Sequence, residues 1–162
     1  MSRQAFRIVV CDDSATYGRA LTEFLEYDPG IHVVEVFRSA EEMLAALRHI
    51  DPDLITMDLE MPGMGGTSAI DQIMRERPVP ILVLSAYAGK GSDRAAAALT
   101  AGALEAMDKS SLHLLEPSDV WATAQRSRIK RLASLQLKAR SRGGRVAAVP
   151  PQPRGPARIA RA

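Results

Sequence analysis

Residues 54–63 read LITMDLEMPG: an apolar run of strand length, one aspartate at position 58, and a turn stiffened by Met61, Pro62 and Gly63. An ionisable group closing a run suited to burial is costly unless something there compensates its charge. Similar runs recur along the chain, as FRIVVC (6–11), HVVEVF (32–37), PILVLS (80–85) and LEAM (104–107). Each has strand length and turn-forming flanks. Helical patterns lie between them at about residues 15–27, 40–49, 66–76 and 91–101. The second opens with Ser39 and Glu42 at capping-box spacing, and Met43, Leu44, Leu47 and Ile50 then follow a helical period. A fifth helix is expected after Pro117, with Ser118 as its cap, running to about residue 140. Strand–helix alternation repeated five times predicts an α/β fold, a doubly wound, mainly parallel five-stranded sheet with helices on both faces. Burial on both faces explains why the strands are almost unbroken apolar runs.

With 162 residues the chain has room for one domain and a tail. The formal charge of +2 conceals a division: residues 1–119 carry −9, whereas residues 120–162 carry +11 and no acid. A domain over residues 1–125 is therefore expected, then a basic extension of the last helix over 126–142. Residues 143–162 are rich in Pro, Arg, Ala and Gly, cannot bury a core, and read as a linker or disordered tail. The single cysteine, Cys11, lies in an apolar run and cannot form an intrachain disulfide, which fits a reducing compartment. No stretch approaches the roughly 20 apolar residues that span a bilayer, and the N-terminus lacks a signal-peptide pattern. A cytoplasmic chain without a membrane span is the expectation.

In an open α/β sheet the ligand site lies beyond the carboxyl ends of the strands. Asp12 and Asp13 follow the first strand, Asp58 the third, Ser85 closes the fourth, and Asp108 and Lys109 follow the fifth. Carboxylates brought together repel one another unless a cation compensates them, and Mg²⁺ takes oxygen ligands of this kind together with a phosphate. Lys109 adds a mobile positive charge for the same phosphate. The set suits phosphoryl transfer, which depends mainly on positioning and charge neutralisation. Asp58, alone at the end of the middle strand, is the expected nucleophile, which would give an aspartyl-phosphate, and the Asp12–Asp13 pair is better used on the metal. A lone aspartate after a strand is usually a turn residue, but a full set at matching strand ends is not explained that way. His32, His49 and His113 are scattered without metal-ligand spacing and read as surface or half-buried side chains. GMGG (63–66) matches neither the dinucleotide fingerprint nor the P-loop and reads as loop flexibility. No G-x-S-x-G nucleophile elbow occurs.

VVCDDS, MDLEMPGM, LVLSA and the lysine after strand five resemble the receiver domain of bacterial two-component response regulators, over about residues 5–125. The resemblance implies a phosphoprotein of flavodoxin-like fold with strand order 2-1-3-4-5. By the same resemblance Mg²⁺ binds Asp12, Asp13, Asp58 and the backbone carbonyl of Glu60, while Ser85 and Lys109 contact the phosphoryl group on Asp58. DDSATYGRALTEFLEYDPGIHVVEV and PDLITMDLEMPGMGG are most similar to the receivers of chemotaxis protein-glutamate methylesterases, in which a linker joins the receiver to a serine-hydrolase domain. Three positions depart from the pattern. Ala106 stands where a switch aromatic is usual, Ser110 replaces the proline after the lysine, and Gly65 stands where the methylesterase pattern has Asp.

The expected function is a phosphorelay receiver charged at Asp58 by a sensor histidine kinase or phosphotransfer protein, and acting as the regulatory part of a methylesterase-like response regulator. The chain itself is not expected to be an enzyme beyond its own phosphorylation, although a full-length parent with the hydrolase domain in cis would be a methylesterase. The alternative is a stand-alone receiver whose basic C-terminal helix, QRSRIKRLASLQLKARSRGGR, binds a partner helix, a second copy or nucleic acid. A dehalogenase-like phosphatase also uses a nucleophilic aspartate, but it places an acid two residues on as general acid, and Glu60 meets that pattern only loosely.

Overall fold

The protein, seen here in a computed structural model, is described at residues 4–86 and 92–141, with side chains to residue 135. Five strands alternate with five helices: β1 (Phe6–Cys11), α1 (Ala15–Glu26), β2 (Ile31–Phe37), α2 (Ala40–Ile50), β3 (Leu54–Met57), α3 (Gly66–Glu76), β4 (Ile81–Ser85), α4 (Asp93–Ala101), β5 (Glu105–Asp108) and α5 (Val120–Ser141). A short 3₁₀ turn over Lys109–Leu112 follows β5. The strands form one parallel sheet in the order β2-β1-β3-β4-β5, as expected.

Successive side chains of a strand point to opposite faces, and β1 shows how this builds two cores. Val9 and Cys11 join Met43 and Leu47 of α2, Ile70 and Ile73 of α3 and Ala98 of α4 on one face. Ile8 and Val10 join Leu21, Phe24 and Leu25 of α1 and Ile129 and Ala133 of α5 on the other. The central strands are therefore apolar throughout, and their first polar residues fall at the sheet edge. Backbone pairing holds those ends level: the Asp58 N–H donates to the Cys11 carbonyl at 3.0 Å, and the Asp12 N–H donates to the Phe37 carbonyl at 2.9 Å.

Several boundaries move from their expected places. The fifth strand is Glu105–Asp108 rather than 104–107, because Met107 turns into the α1/α5 core while Leu104 is 46% exposed. Helix five begins at Val120, so Asp119, not Ser118, closes its first turn: its carbonyl accepts from the Thr123 N–H at 3.0 Å and its carboxylate from the Trp121 N–H at 3.4 Å. Ser39 does cap α2, accepting from the Glu42 N–H at 3.2 Å. The tail read at residues 143–162 lies outside the described residues.

Basic residues at the start of α5 do not form a free charged face. Arg126 is 3% exposed, its guanidinium lies 4.9 Å from the rings of both Phe24 and Tyr27, and it donates to the Pro117 carbonyl at 2.6 Å. Arg128 pairs with Glu105, and Lys130 pairs with Asp28 at 2.6 Å. These contacts fasten α5 to α1 and β5.

The GMGG segment owes its glycines to backbone geometry, not to flexibility. Gly65, the residue before α3, sits at φ +78, a conformation that would strain any L side chain there. A Cβ on Gly66 would stand 2.6 Å from the Asp58 carbonyl oxygen and 3.0 Å from the Leu59 Cα. Helix α3 thus starts directly against the backbone that carries Asp58. Replacing Gly66 with Ala should lower stability by about 2 kcal/mol through overpacking. A urea unfolding midpoint unchanged from the wild type would contradict this close approach.

Candidate functional site

Burial is nearly complete at two of the acids: Asp12 is 2% and Asp58 3% exposed. Asp13 is half-buried beside them, and carboxylate oxygens of Asp12, Asp13 and Asp58 lie within 4.8 Å of one another. From the end of β5, Lys109 reaches in, with Nζ 2.7 Å from Asp12 Oδ2 and 3.5 Å from Asp58 Oδ2. Four of the expected site residues therefore converge at the carboxyl edge of the sheet. Three carboxylates against one ammonium leave a formal charge of −2, which is the charge and donor chemistry a hard divalent cation matches.

Asp108 does not join the trio. It caps the 3₁₀ turn, accepting at Oδ1 from the Ser110 N–H at 2.9 Å and the Ser110 hydroxyl at 2.6 Å. A proline after the lysine could not donate the first of these bonds. Ser110 therefore lets Asp108 form the turn that orients Lys109.

Ser85 and Glu60 make a side-chain contact that their sequence positions did not show. The Ser85 hydroxyl, buried at the end of β4, donates to Glu60 Oε1 in a short hydrogen bond. The same Glu60 carboxylate hydrogen-bonds to the Ala86 backbone and to the Asp58 side chain, while the Glu60 N–H donates to Asp58 Oδ1 at 3.1 Å. The reading of Glu60 as a backbone ligand thus missed its side chain, which lies across the site.

Electrostatics follow from this geometry. Burial pushes the Asp58 carboxyl up to about 7, with the Glu60 side chain and Asp12 adding to the rise and Lys109 opposing it. Glu60 is held below the usual carboxylate range: its burial works against this, and the bonds from Ser85 and Asp58 outweigh it. Of the two acids, the buried one keeps the proton. Burial alone would lower the Lys109 ammonium, but the hydrogen bond and charge of Asp12, with Asp58 behind it, raise it, so the lysine is charged. Cys11, beneath the acids, is raised to about 12 by burial and is an unreactive thiol.

Among the described residues a second group has ligand atoms this close: His113, Glu116 and Asp119, at the surface. Sequence spacing left His113 isolated, and successive turns, in which each N–H donates three residues back, stack the trio. Tyr17 was also missed. Its ring faces the Lys109 ammonium at 4.4 Å, although its sequence position showed only helical periodicity.

A raised Asp58 predicts a pH effect on stability. Between the unfolded value of 3.8 and about 7 the folded protein binds the extra proton, so its contribution is present below pH 3.8 and is lost as pH rises through 7. In metal-free buffer Asp58→Asn should therefore be more stable than the wild type by about 4 kcal/mol at pH 8, with the gain vanishing toward pH 4. Urea titrations at several pH values measure it, and a pH-independent difference would contradict the ionisation assigned to Asp58.

Comparison with known proteins agrees with the geometry. The sequence profile described as the response regulator receiver domain matches residues 8–114. A protein-glutamate methylesterase/protein-glutamine glutaminase of Oleidesulfovibrio alaskensis is 43% identical over 103 residues, 64% of this chain and 28% of the relative. One from Xanthomonas campestris is 34% identical over 138 residues, 84% of this chain and 38% of the relative. The chain thus spans well under half the length of these curated relatives. The crystal structure of the response regulator domain of Thermotoga maritima CheB is similar with a TM-score of 0.70 and 27% identity, covering 81% of this chain and 98% of that one. A CheY-like receiver from Methanospirillum hungatei, 24% identical with a TM-score of 0.66, covers 83% of this chain and 98% of its own and shares the fold. With an acid trio, a lysine and a hydroxyl at the carboxyl edge of a sheet in this strand order, the chain belongs to the response regulator receiver domain family, and its curated relatives are methylesterases of the CheB type.

Proposed function

We propose that Asp58 is the residue of this receiver that accepts the phosphoryl group, and that a sensor histidine kinase or phosphotransfer protein supplies it. The observation that carries the proposal is the placement of Asp58, a buried carboxylate 3.5 Å from an ammonium and within 4.8 Å of the two other acids. An Asp58 carboxylate oxygen attacks phosphorus, the P–N bond to the donor histidine breaks, and the imidazole nitrogen leaves with the electron pair. Asp12, Asp13, Asp58 and the Glu60 carbonyl are the ligands for magnesium, which supplies charge neutralisation for the acids and the phosphoryl oxygens when bound. Lys109 and the Ser85 hydroxyl are the donors to those oxygens.

Labelling with acetyl phosphate and magnesium is the direct test. Asp58→Asn should take up no phosphoryl group, and labelling at the wild-type stoichiometry would sink the assignment. Glu60 provides a second test. Its carboxylate, held by Ser85 and Ala86, puts negative charge where an incoming phosphoryl oxygen needs donors. Glu60→Ala keeps the backbone carbonyl and removes that charge, so labelling should be several-fold faster. A slower variant would mean that the side chain helps phosphorylation.

Similarity to methylesterases supports a place for this receiver as the regulatory part of such a protein in chemotaxis-type signalling, with a hydrolase domain in cis, in the cytoplasm. No helix among the described residues is long and apolar enough to cross a membrane. A coding sequence in which these residues run in frame into a serine-hydrolase domain would bear this out, and a stop codon directly after residue 162 would oppose it. The nucleic-acid reading of helix five draws no support from the reported relatives, and Arg126, Arg128 and Lys130 are already engaged within the domain.

A further inference from the structure

Tyr17 stands in the first turn of α1, five residues after Asp12, and takes part in a closed circuit of contacts. The Ser14 N–H donates to Asp12 Oδ1 at 2.8 Å, and the Ser14 hydroxyl caps α1 by accepting from the Tyr17 N–H at 3.2 Å. The Tyr17 ring faces the Lys109 ammonium, with 4.4 Å from Nζ to the ring centre, and Lys109 returns to Asp12 Oδ2 at 2.7 Å. The Tyr17 hydroxyl also donates to the Lys109 backbone carbonyl at 3.4 Å. Burial raises the phenol above its ordinary value, so it keeps its proton and remains a donor at every working pH. One side chain therefore touches both ends of the lysine.

This placement matters because Lys109 has two tasks. Before phosphorylation its ammonium pairs with Asp12, and afterwards it must meet phosphoryl oxygens on Asp58. A flexible lysine has many rotamers, and each one unsuited to the site slows the second task. The acids attract the ammonium from one side, and the aromatic face attracts it from the other without competing as an anion. Ala106, at the position of the usual switch aromatic, adds no ring from β5.

We propose that Tyr17 is a positioning residue for phosphorylation, its ring holding the Lys109 ammonium in reach of Asp58. The proposal rests on Asp58 being the acceptor, and it concerns the rate of charging, not the site. Loss of the ring contact should slow labelling by acetyl phosphate about five- to tenfold, the range expected for a partly desolvated cation–π contact.

The test compares Tyr17→Leu with Tyr17→Phe in the full chain with magnesium. The Leu variant should be five- to tenfold slow, and the Phe variant, which keeps the ring, should stay within about twofold of wild type. Nuclear magnetic resonance provides a readout that packing of α1 alone would not move. The Lys109 Cε protons should show an upfield ring-current shift in the wild type and in the Phe variant, and should lose it in the Leu variant. Wild-type speed in the Leu variant overturns the proposal, as does equal slowing of both variants, which would assign the effect to the hydroxyl. Were the Leu variant not to fold, ordinary Lys109 Cε shifts in the wild type would overturn it alone. Asp58→Asn separates the two readings: labelling despite that change defeats the acceptor assignment, whereas the Lys109 shift bears only on Tyr17.

Discussion

Buried like charge governs this molecule. The parallel sheet brings the ends of β1 and β3 side by side, and backbone pairing gives Asp12 and Asp58 no freedom to separate. Carboxylates so close and so dry cannot all ionise without a cation. The protein answers partly with Lys109 and partly by leaving a proton on Asp58. What remains is a deficit of positive charge at one point on the surface, of the kind that a hard divalent cation matches. Gly66 packed under Asp58, Ser110 permitting the 3₁₀ turn, and Ser14 suspended from Asp12 all serve to keep that deficit in one place.

Strand edges were the readable part of the sequence. An apolar run buried on both faces is easy to recognise, and the polar residue that ends it must lie at the sheet boundary, so Asp12, Asp13, Asp58, Ser85 and Lys109 could be named from their positions alone. The phase of β5 was harder, since LEAMD supports either of two registers, and the choice is made by Met107 packing against α1 and α5. Side chains that cross between elements left no local sign. Tyr17 and Leu21 share a helical period, yet one faces a lysine and the other enters the core. Glu60 follows Asp58 as any turn residue would, and only the approach of β4 gives its carboxylate the Ser85 hydroxyl.

Charge composition misled in one respect. A helix with no acid and several arginines suggests an external anion, but composition cannot show which arginine lies between two aromatic rings. Arg126 meets Phe24 and Tyr27 because α1 ends beside the start of α5, a contact separated by about a hundred residues in the chain. The start of the basic stretch is part of the domain, and α5 is continuous from there to Ser141. At 1.5 Å per residue, its 22 residues extend about 33 Å.

The protein contains one tryptophan, Trp121, whose indole N–H donates to the Ser111 carbonyl in the 3₁₀ turn that Lys109 begins. Its ring also lies 5.8 Å from that of His113. The indole is thereby tied to the turn from which Lys109 reaches Asp12 and Asp58. The molecule thus carries a native optical probe of that turn, readable without any added label.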